Sequence, residues 1–169
     1  MKMIAAAAVV LLSGASTVWG QAGTCADPIP LFAGVAVTGD TCTASNSLPN
    51  YGGTTSPQAE LVYHFQNGTN GAGTFASGDF VFAHTGAAFG GGMFLLPAPC
   101  SNSTDPISFG NDANPMPATN MAGGTPLNES QDYYVIVTAD PGGPADACGE
   151  FSLTPPNPLP VELQSFSVD

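Results

Sequence analysis

The sequence predicts an all-β protein, a two-layer antiparallel β-sandwich with a jelly-roll-like arrangement of strands. Turn-forming residues are frequent, with 21 glycines and 16 prolines among 169 residues. Hydrophobic residues nevertheless make up 43% of the chain, which is more than a disordered protein carries. Beyond the first 20 residues, proline, glycine or asparagine interrupts almost every window that could hold three helical turns. Short apolar runs separated by turns are typical of sandwiches.

Eight predicted strands account for the two layers. The clearest one alternates Leu61, Tyr63 and Phe65 on one face with Val62, His64 and Gln66 on the other. In chain order the predicted strands are 29–38, 60–66, 79–84, 93–96, 107–109, 132–139, 150–154 and 161–168. The polar segments 45–57, 67–73, 101–105 and 111–127 are predicted to be long loops outside the sheet core.

The first 20 residues have the pattern of a secretory signal peptide. Lys2 precedes the apolar run 4–12, and Val18 and Gly20 occupy the positions expected before a cut at Gln21. Nine apolar residues are too few to span a bilayer, which needs about 20. We therefore expect a signal peptide over 1–20, a sandwich domain over 21–156, and a proline-rich linker with a C-terminal strand or sorting-linked tail over 157–169. The predicted location is secreted, extracellular or at the cell surface, without membrane insertion after cleavage.

The charge balance excludes several classes of partner. The chain has 13 acidic residues, a net charge of −12, and Lys2 as its one basic residue. Removal of the signal peptide would leave no lysine or arginine. Nucleic-acid binding depends on such cations to neutralise phosphates, so we expect no nucleic-acid partner. Lysine Schiff-base chemistry is excluded for the same reason.

Four cysteines follow the predicted signal peptide: Cys25, Cys42, Cys100 and Cys148. An even number in an exported chain indicates disulfides. Of the three pairings, we favour Cys25–Cys42 and Cys100–Cys148, because each joins residues within one half of the chain. A metal site is the alternative, but no CxxC spacing occurs.

The sequence offers little catalytic machinery, so we expect no enzyme. His64 and His84 are the histidines; we interpret the first as a half-buried strand residue and the second as a turn residue. No GxSxG or HExxH motif is present. An acidic hydrolase with paired carboxylates is the enzymatic alternative. Its carboxylates would come from strand ends and turns, namely Glu60, Asp79, Asp105, Asp112 and Asp132.

Oxygen-bearing side chains are concentrated in one region and suggest calcium, which prefers six to eight oxygen ligands. The tentative ligands are Asp105, Asn111, Asp112, Asn114 and Asp140. The alternative is an Asx-type turn in this asparagine- and aspartate-rich stretch. We therefore expect no obligatory cofactor, with calcium as the one candidate.

Four segments resemble the bacterial pre-peptidase C-terminal domain, a jelly-roll-like sandwich appended to many secreted enzymes: "AELVYHFQ", "GMFLLPAPCS", "ISFGNDAN" and "LNESQDYYVIVTADPGGPADACGEFSLTPP". The similarity covers about residues 58–156. Some members bind calcium through acidic residues around the central strands. Here Gly91 and Gly92 stand where an acidic pair is common, whereas Asp105 and Asp112 are retained.

The tail "LPVELQSFSVD" resembles the L-P-V-x-L-x-S-F segment near the C-termini of many secreted bacterial proteins. That resemblance implies a link to a sorting or anchoring module. A final β-strand is the alternative.

These observations predict a secreted, non-catalytic β-sandwich module for surface or extracellular interaction, with an unidentified extracellular ligand or surface component as partner. A calcium-dependent carbohydrate- or matrix-binding module is the second hypothesis, and the acidic hydrolase is the third. Carbohydrate binding would depend on the tyrosines Tyr51, Tyr63, Tyr133 and Tyr134.

Overall fold

A computed structural model describes residues 23–68, 79–111, 116–117, 127–128 and 130–156. Strands dominate this part of the chain. They are β1 Ile29–Pro30, β2 Val37–Asp40, β3 Asn50–Tyr51, β4 Thr54–Thr55, β5 Glu60–Gln66, β6 Asp79–His84, β7 Gly91–Pro97, β8 Ser108–Asn111, β9 Met116–Pro117, β10 Asp132–Ala139 and β11 Glu150–Thr154. A single 3₁₀ turn, Thr41–Thr43, follows β2 among the described residues.

The strands form two main sheets, and their pairing is that of a jelly roll. One sheet has the order β1-β5-β10-β7-β8 and the other β2-β11-β6-β9. The antiparallel pairs are nested along the chain: β2 pairs with β11, β5 with β10, β6 with β9, and β7 with β8. Such nesting produces the two Greek keys of a jelly roll. The predicted all-β sandwich is confirmed. The short β1 adds to β5 in parallel.

The main core lies between the two sheets and is apolar. Its buried side chains are Leu31, Leu61, Tyr63, Phe65, Phe80, Phe82, Met93, Leu95, Leu127, Tyr133, Val135, Val137, Phe151 and Leu153. Phe151 is fully buried in this core, with its ring centroid 5.6 Å from that of Phe82 and 6.2 Å from that of Tyr63. A Cβ at Gly39 would lie 2.6 Å from the Phe151 ring. Glycine therefore allows β2 to approach the core.

The outer face of the five-stranded sheet is also packed. Residues 45–57, which include β3 and β4, lie over it, and we call this segment the cover. Leu48 and Tyr51 of the cover are buried against the sheet, where they form a second cluster with Val62, Leu96 and Ile136. The interpretation of 45–57 as a loop outside the sheet core is therefore wrong. Only two of its side chains are large and apolar, too few for a hydrophobic pattern.

The predicted strands agree with the structure in the interior and differ at the edges. The strands at 60–66, 79–84, 132–139 and 150–154 have the predicted bounds. The single predicted strand 29–38 is wrong, because a turn divides it and its two ends join different sheets. In that turn Gly34 has φ of 68°, and the Val35 amide donates to the Phe32 carbonyl. The predicted strand 161–168 lies outside the described residues.

Both disulfides join distant parts of the chain, so the favoured pairing is wrong. Cys25 pairs with Cys100 and Cys42 with Cys148, at sequence separations of 75 and 106 residues. The topology explains the second bridge, because β2 and β11 are neighbours and the two cysteines flank that pair. The first bridge packs against the second cluster, beside the cover. Proximity along the chain does not predict the disulfide pairing, because the paired strands of a jelly roll lie far apart in the sequence.

Candidate functional site

A groove of about 190 Å³ opens at one end of the five-stranded sheet. The start of β7, the second half of β8 and the end of β10 form its walls. It is lined by residues 90–94, 109–111 and 139–141. We call it the glycine groove, because four of the lining residues are glycines.

Backbone rather than side chains forms much of this groove. In the sheet register Gly91 lies opposite Ala139, and Gly92 lies opposite both Thr138 and Asn111. A Cβ at Gly92 would lie 2.7 Å from the carbonyl oxygen of Gly110. A side chain at this position would therefore collide with β8. The groove stays open because the sequence places glycine there.

Phe109 is the most exposed large apolar residue of the described chain, with 74% of its surface accessible. In β8 the residues Ser108 and Gly110 are buried, whereas Phe109 and Asn111 are exposed. The alternation of the strand thus directs Phe109 outward at the groove. Phe109 is not among the functional residues that the sequence predicts. A short strand with phenylalanine between two small inward residues is the signal that could have found it.

Asp140 is held in place on the opposite side of the groove. Its Oδ1 atom accepts a hydrogen bond from the Gly142 amide at 2.9 Å. Its own amide donates to the Gly90 carbonyl at 3.0 Å, and its carbonyl accepts from Gln58 Nε2 at 3.0 Å. The residue is exposed. These bonds fix the position of a carboxylate in a chain whose one cationic side chain is Lys2.

The predicted calcium ligands are partly brought together. Asn111 and Asp140 both line the glycine groove. Asp105 lies instead against Gly52, in the turn between β3 and β4. Asp112 and Asn114 lie outside the described residues. Among the described residues no group of three or more His, Cys, Asp or Glu side chains could hold a metal ion; calcium stays a prediction.

The two histidines lie away from the groove. His64 projects from the outer face of β5, and its Nε2 atom lies 3.0 Å from Asp132 Oδ1. Its ring also contacts Tyr134, at a centroid distance of 5.2 Å. The predicted half-buried position is confirmed, since 28% of the His64 side chain is exposed. His84 ends β6, where its ring packs edge-on against Phe82 and Phe89.

Glu60 is a buried carboxylate that anchors the cover. Its Oε1 atom accepts from the Ser47 amide, the Ser47 hydroxyl and the Leu48 amide at 2.5, 2.7 and 2.7 Å. Within the described chain, Oε2 accepts no hydrogen bond. Burial raises the pKa of this carboxyl, and the bonds from Ser47 and Leu48 offset part of that rise. The pKa of Tyr51 is also raised, by its burial and by the nearby Glu60.

The carboxylates considered for a hydrolase belong to different surroundings. Glu60 lies beneath the cover, and Asp132 lies at the far end of the same strand pair, since Thr138 faces Glu60 and Asp132 faces Gln66. Asp79 is exposed at the start of β6. Asp105 lies beside Gly52, and Asp112 is outside the described residues.

The tyrosines considered as a carbohydrate platform are mostly inaccessible. Tyr51, Tyr63 and Tyr133 are each at most 2% exposed. Tyr134 is half-buried beside His64. Phe109, rather than a tyrosine, is therefore the aromatic side chain that is open to a ligand in the glycine groove.

Comparisons with known proteins gave no relative: scans of family models, curated proteins and solved structures each found no match. In the described part of the chain, no helix is long and apolar enough to cross a membrane.

Proposed function

We propose that this protein is a non-catalytic extracellular interaction module whose binding surface includes the glycine groove. The observation that carries the proposal is the position of Phe109, which leaves 74% of a large apolar side chain in water at the rim of a groove. Exposed aromatic residues next to concave, polar surfaces are typical of binding sites. The fixed carboxylate of Asp140 supplies the polar element that orients a ligand.

The size of the groove limits what it binds. About 190 Å³ is less than the roughly 300–1,000 Å³ of pockets that enclose a drug-sized molecule. The groove would therefore hold one side chain or one small chemical group of a larger partner. This size supports a groove that binds one part of a larger partner.

The extracellular location is supported by the cysteines and by the N-terminal pattern. All four cysteines are in disulfides, and disulfides persist in oxidising compartments. The signal-like segment 1–20 has the same implication. The resemblance to pre-peptidase C-terminal domains adds the hypothesis of a role beside a secreted enzyme.

Calcium-dependent binding is the second candidate, favoured by the presence of Asn111 and Asp140 in one groove. Thermal unfolding with excess EDTA and then with calcium chloride tests it. A ligand at a hundredfold excess over its dissociation constant stabilises the folded state by about 2.7 kcal/mol. An unchanged melting temperature would contradict calcium binding and leave the interaction module in place.

The main proposal is tested by NMR titration of the full oxidised chain, expressed for export. The probes are calcium chloride, a neutral oligosaccharide, and short cationic and acidic peptides. At least one probe should cause saturable amide shifts at residues 90–92 and 109–111. Phe109→Ala should weaken the binding that causes these shifts, and Phe32→Ala, which truncates an exposed phenylalanine in the turn after β1, should preserve it. If no probe shifts these amides, the proposal is wrong.

A further inference from the structure

We infer that the glycine groove binds a cationic side chain, arginine above all, presented by a peptide or protein partner. The inference rests on the proposed function, because it assigns a ligand class to the same groove. Three properties support it: the charge of the full sequence, the pairing of Asp140, and the exposed face of Phe109.

The charge of the chain favours a cationic partner. The sequence carries 13 acidic side chains, and Lys2 is its one lysine or arginine. Beyond that position, the chain itself has no such side chain with which a carboxylate could pair. An anionic surface raises the local concentration of cations and speeds the approach of cationic partners. Anionic ligands are repelled by the same field.

Asp140 is the local anionic group within this field. One carboxylate oxygen accepts from the Gly142 amide, and the backbone of Asp140 is bonded to Gly90 and Gln58. The carboxylate is thus oriented before a ligand arrives, which lowers the entropic cost of binding. Guanidinium groups bind carboxylates with short, charge-assisted hydrogen bonds.

Phe109 supplies a second, independent attraction. Its exposed ring is purely apolar and has no hydroxyl or amine with which to orient a sugar. The face of an aromatic ring attracts cations, and arginine also stacks on it as a planar group. Both residues line the groove, so an arginine bound there has two contacts available, stacking on the Phe109 ring and hydrogen bonding to Asp140. Lysine, a compact point charge, would satisfy only one of these contacts well.

The dimensions of the groove agree with a single side chain. Its volume is about 190 Å³, and the bare backbone at Gly92 and Gly110 allows a ligand to approach without meeting side chains. Because the contact is small, we expect weak binding by an isolated arginine peptide, with a dissociation constant on the order of 1 mM. A natural partner would add further contacts outside the groove.

The experiment must separate the groove from general attraction to an acidic protein. The full oxidised chain is titrated with N-acetyl-Gly-Arg-Gly-amide, followed by amide shifts at residues 90–92 and 109–111. The peptide with citrulline in place of arginine has nearly the same shape without the charge. We expect citrulline to bind at least about tenfold more weakly, since it loses the ion pair and the cation–π contact.

Matched variants locate the interaction. Asp140→Asn and Phe109→Ala should each weaken arginine binding by about tenfold. Asp79→Asn removes the same charge from an exposed site on β6, and Phe32→Ala truncates an exposed phenylalanine elsewhere. Both control variants should stay within about twofold of the unmodified protein, because a single remote charge changes the field only slightly.

Each remaining outcome contradicts the inference in a recognisable way. Equal losses in Asp79→Asn and Asp140→Asn would mean general electrostatic attraction, and equal binding of citrulline would mean that charge is not recognised. Shifts at the groove caused only by the oligosaccharide or calcium would overturn the cationic ligand but keep the proposed function. If no probe shifts the groove amides, both the cationic ligand and the proposed function are wrong.

Discussion

The two faces of the five-stranded sheet are packed by different means. The inner face meets the second sheet through the apolar main core, in which rings such as Phe151 are fully buried. The outer face meets the cover through a small apolar cluster around Tyr51 and Ile136. Polar groups lie at both ends of that outer cluster: Glu60 and Thr138 at one end, and the His64–Asp132 pair at the other.

The difference shows that strands with alternating side chains, such as β5, support two kinds of packing on the two faces of one sheet. On the inner face, the contacts come from strands far apart in the chain, and hydrophobic burial supplies most of the stability. On the outer face, the cover has little apolar surface and is held by hydrogen bonds to Glu60 and by the nearby Cys25–Cys100 bridge. We therefore expect mutations on the inner face to affect global unfolding and mutations on the outer face to affect mainly the cover.

The largest effect should come from Phe151→Ala, in the core that the second sheet packs against the inner face. Phe151 is 0% exposed and packs against Phe82 and Tyr63. Truncation of such a ring leaves a cavity and typically costs about 3–5 kcal/mol. Urea unfolding measures the loss. Val81→Ala, which shortens a half-exposed side chain on the same sheet, should cost less than about 0.5 kcal/mol. A cost below about 1 kcal/mol for Phe151→Ala would contradict the central role of this ring.

The two disulfides give the next largest effects and differ in what they hold. Replacement of Cys25 and Cys100 by serine should destabilise the protein by about 2–4 kcal/mol, the usual range for a bridge that closes a long loop. Because this bridge lies beside the second cluster, hydrogen exchange should increase in the cover before it increases in the inner strands. Replacement of Cys42 and Cys148 by serine should lower the free energy of unfolding by a similar amount, but hydrogen exchange should not increase first in the cover.

The disulfide pairing itself is checked by mass spectrometry after digestion with a protease that cleaves at acidic residues. Trypsin is unsuitable, because it has no site beyond Lys2. Peptides that link Cys25 to Cys100 and Cys42 to Cys148 are expected. A link between Cys25 and Cys42 would contradict the structure. Equal hydrogen exchange of cover and inner strands in the Cys25/Cys100 variant would contradict the role assigned to that bridge.

The sequence predicts the interior strands well and the cover poorly, for a physical reason. Alternation in 60–66 and 132–139 is a local signal, so these strands have the predicted bounds. The packing of Leu48 and Tyr51 depends on a face that only the assembled sheet provides. The same limit applies to the glycine groove. The sequence predicts Asn111 and Asp140 as polar ligands, but it does not predict the exposure of Phe109, which follows from the position of this residue in β8.

The buried carboxyl of Glu60 gives the outer face a dependence on pH. Because its folded-state pKa is raised, the folded protein holds this proton more tightly than the unfolded chain does. This contribution to stability is present below the ordinary pKa of glutamate and is lost as the pH rises through the folded-state pKa. Glu60→Gln keeps an oxygen that accepts from Ser47 and Leu48 but removes the titration.

We therefore expect the stability of the unmodified protein to fall relative to Glu60→Gln as the pH rises from the ordinary pKa of glutamate through the raised folded-state pKa, by about 1.4 kcal/mol for each tenfold difference in proton affinity. Urea unfolding across this range measures the difference. Glu150→Gln, at an exposed site on β11, is the matched control and should give a smaller change. A difference between Glu60→Gln and the unmodified protein that is constant with pH would contradict the buried titration.

The smallest effect is expected at the other end of the outer face, where His64 and Asp132 are partly exposed to water. Their side chains are 28% and 44% accessible, and exposed ion pairs contribute about 0.2–1 kcal/mol. A double-mutant cycle with His64→Gln and Asp132→Asn, measured by urea unfolding, should give a coupling energy within this range. The pair would then contribute less to the outer face than the buried end at Glu60 does. A coupling above about 2 kcal/mol would instead mean that both ends of the outer face are held by strong polar contacts, and the contrast between them would fail.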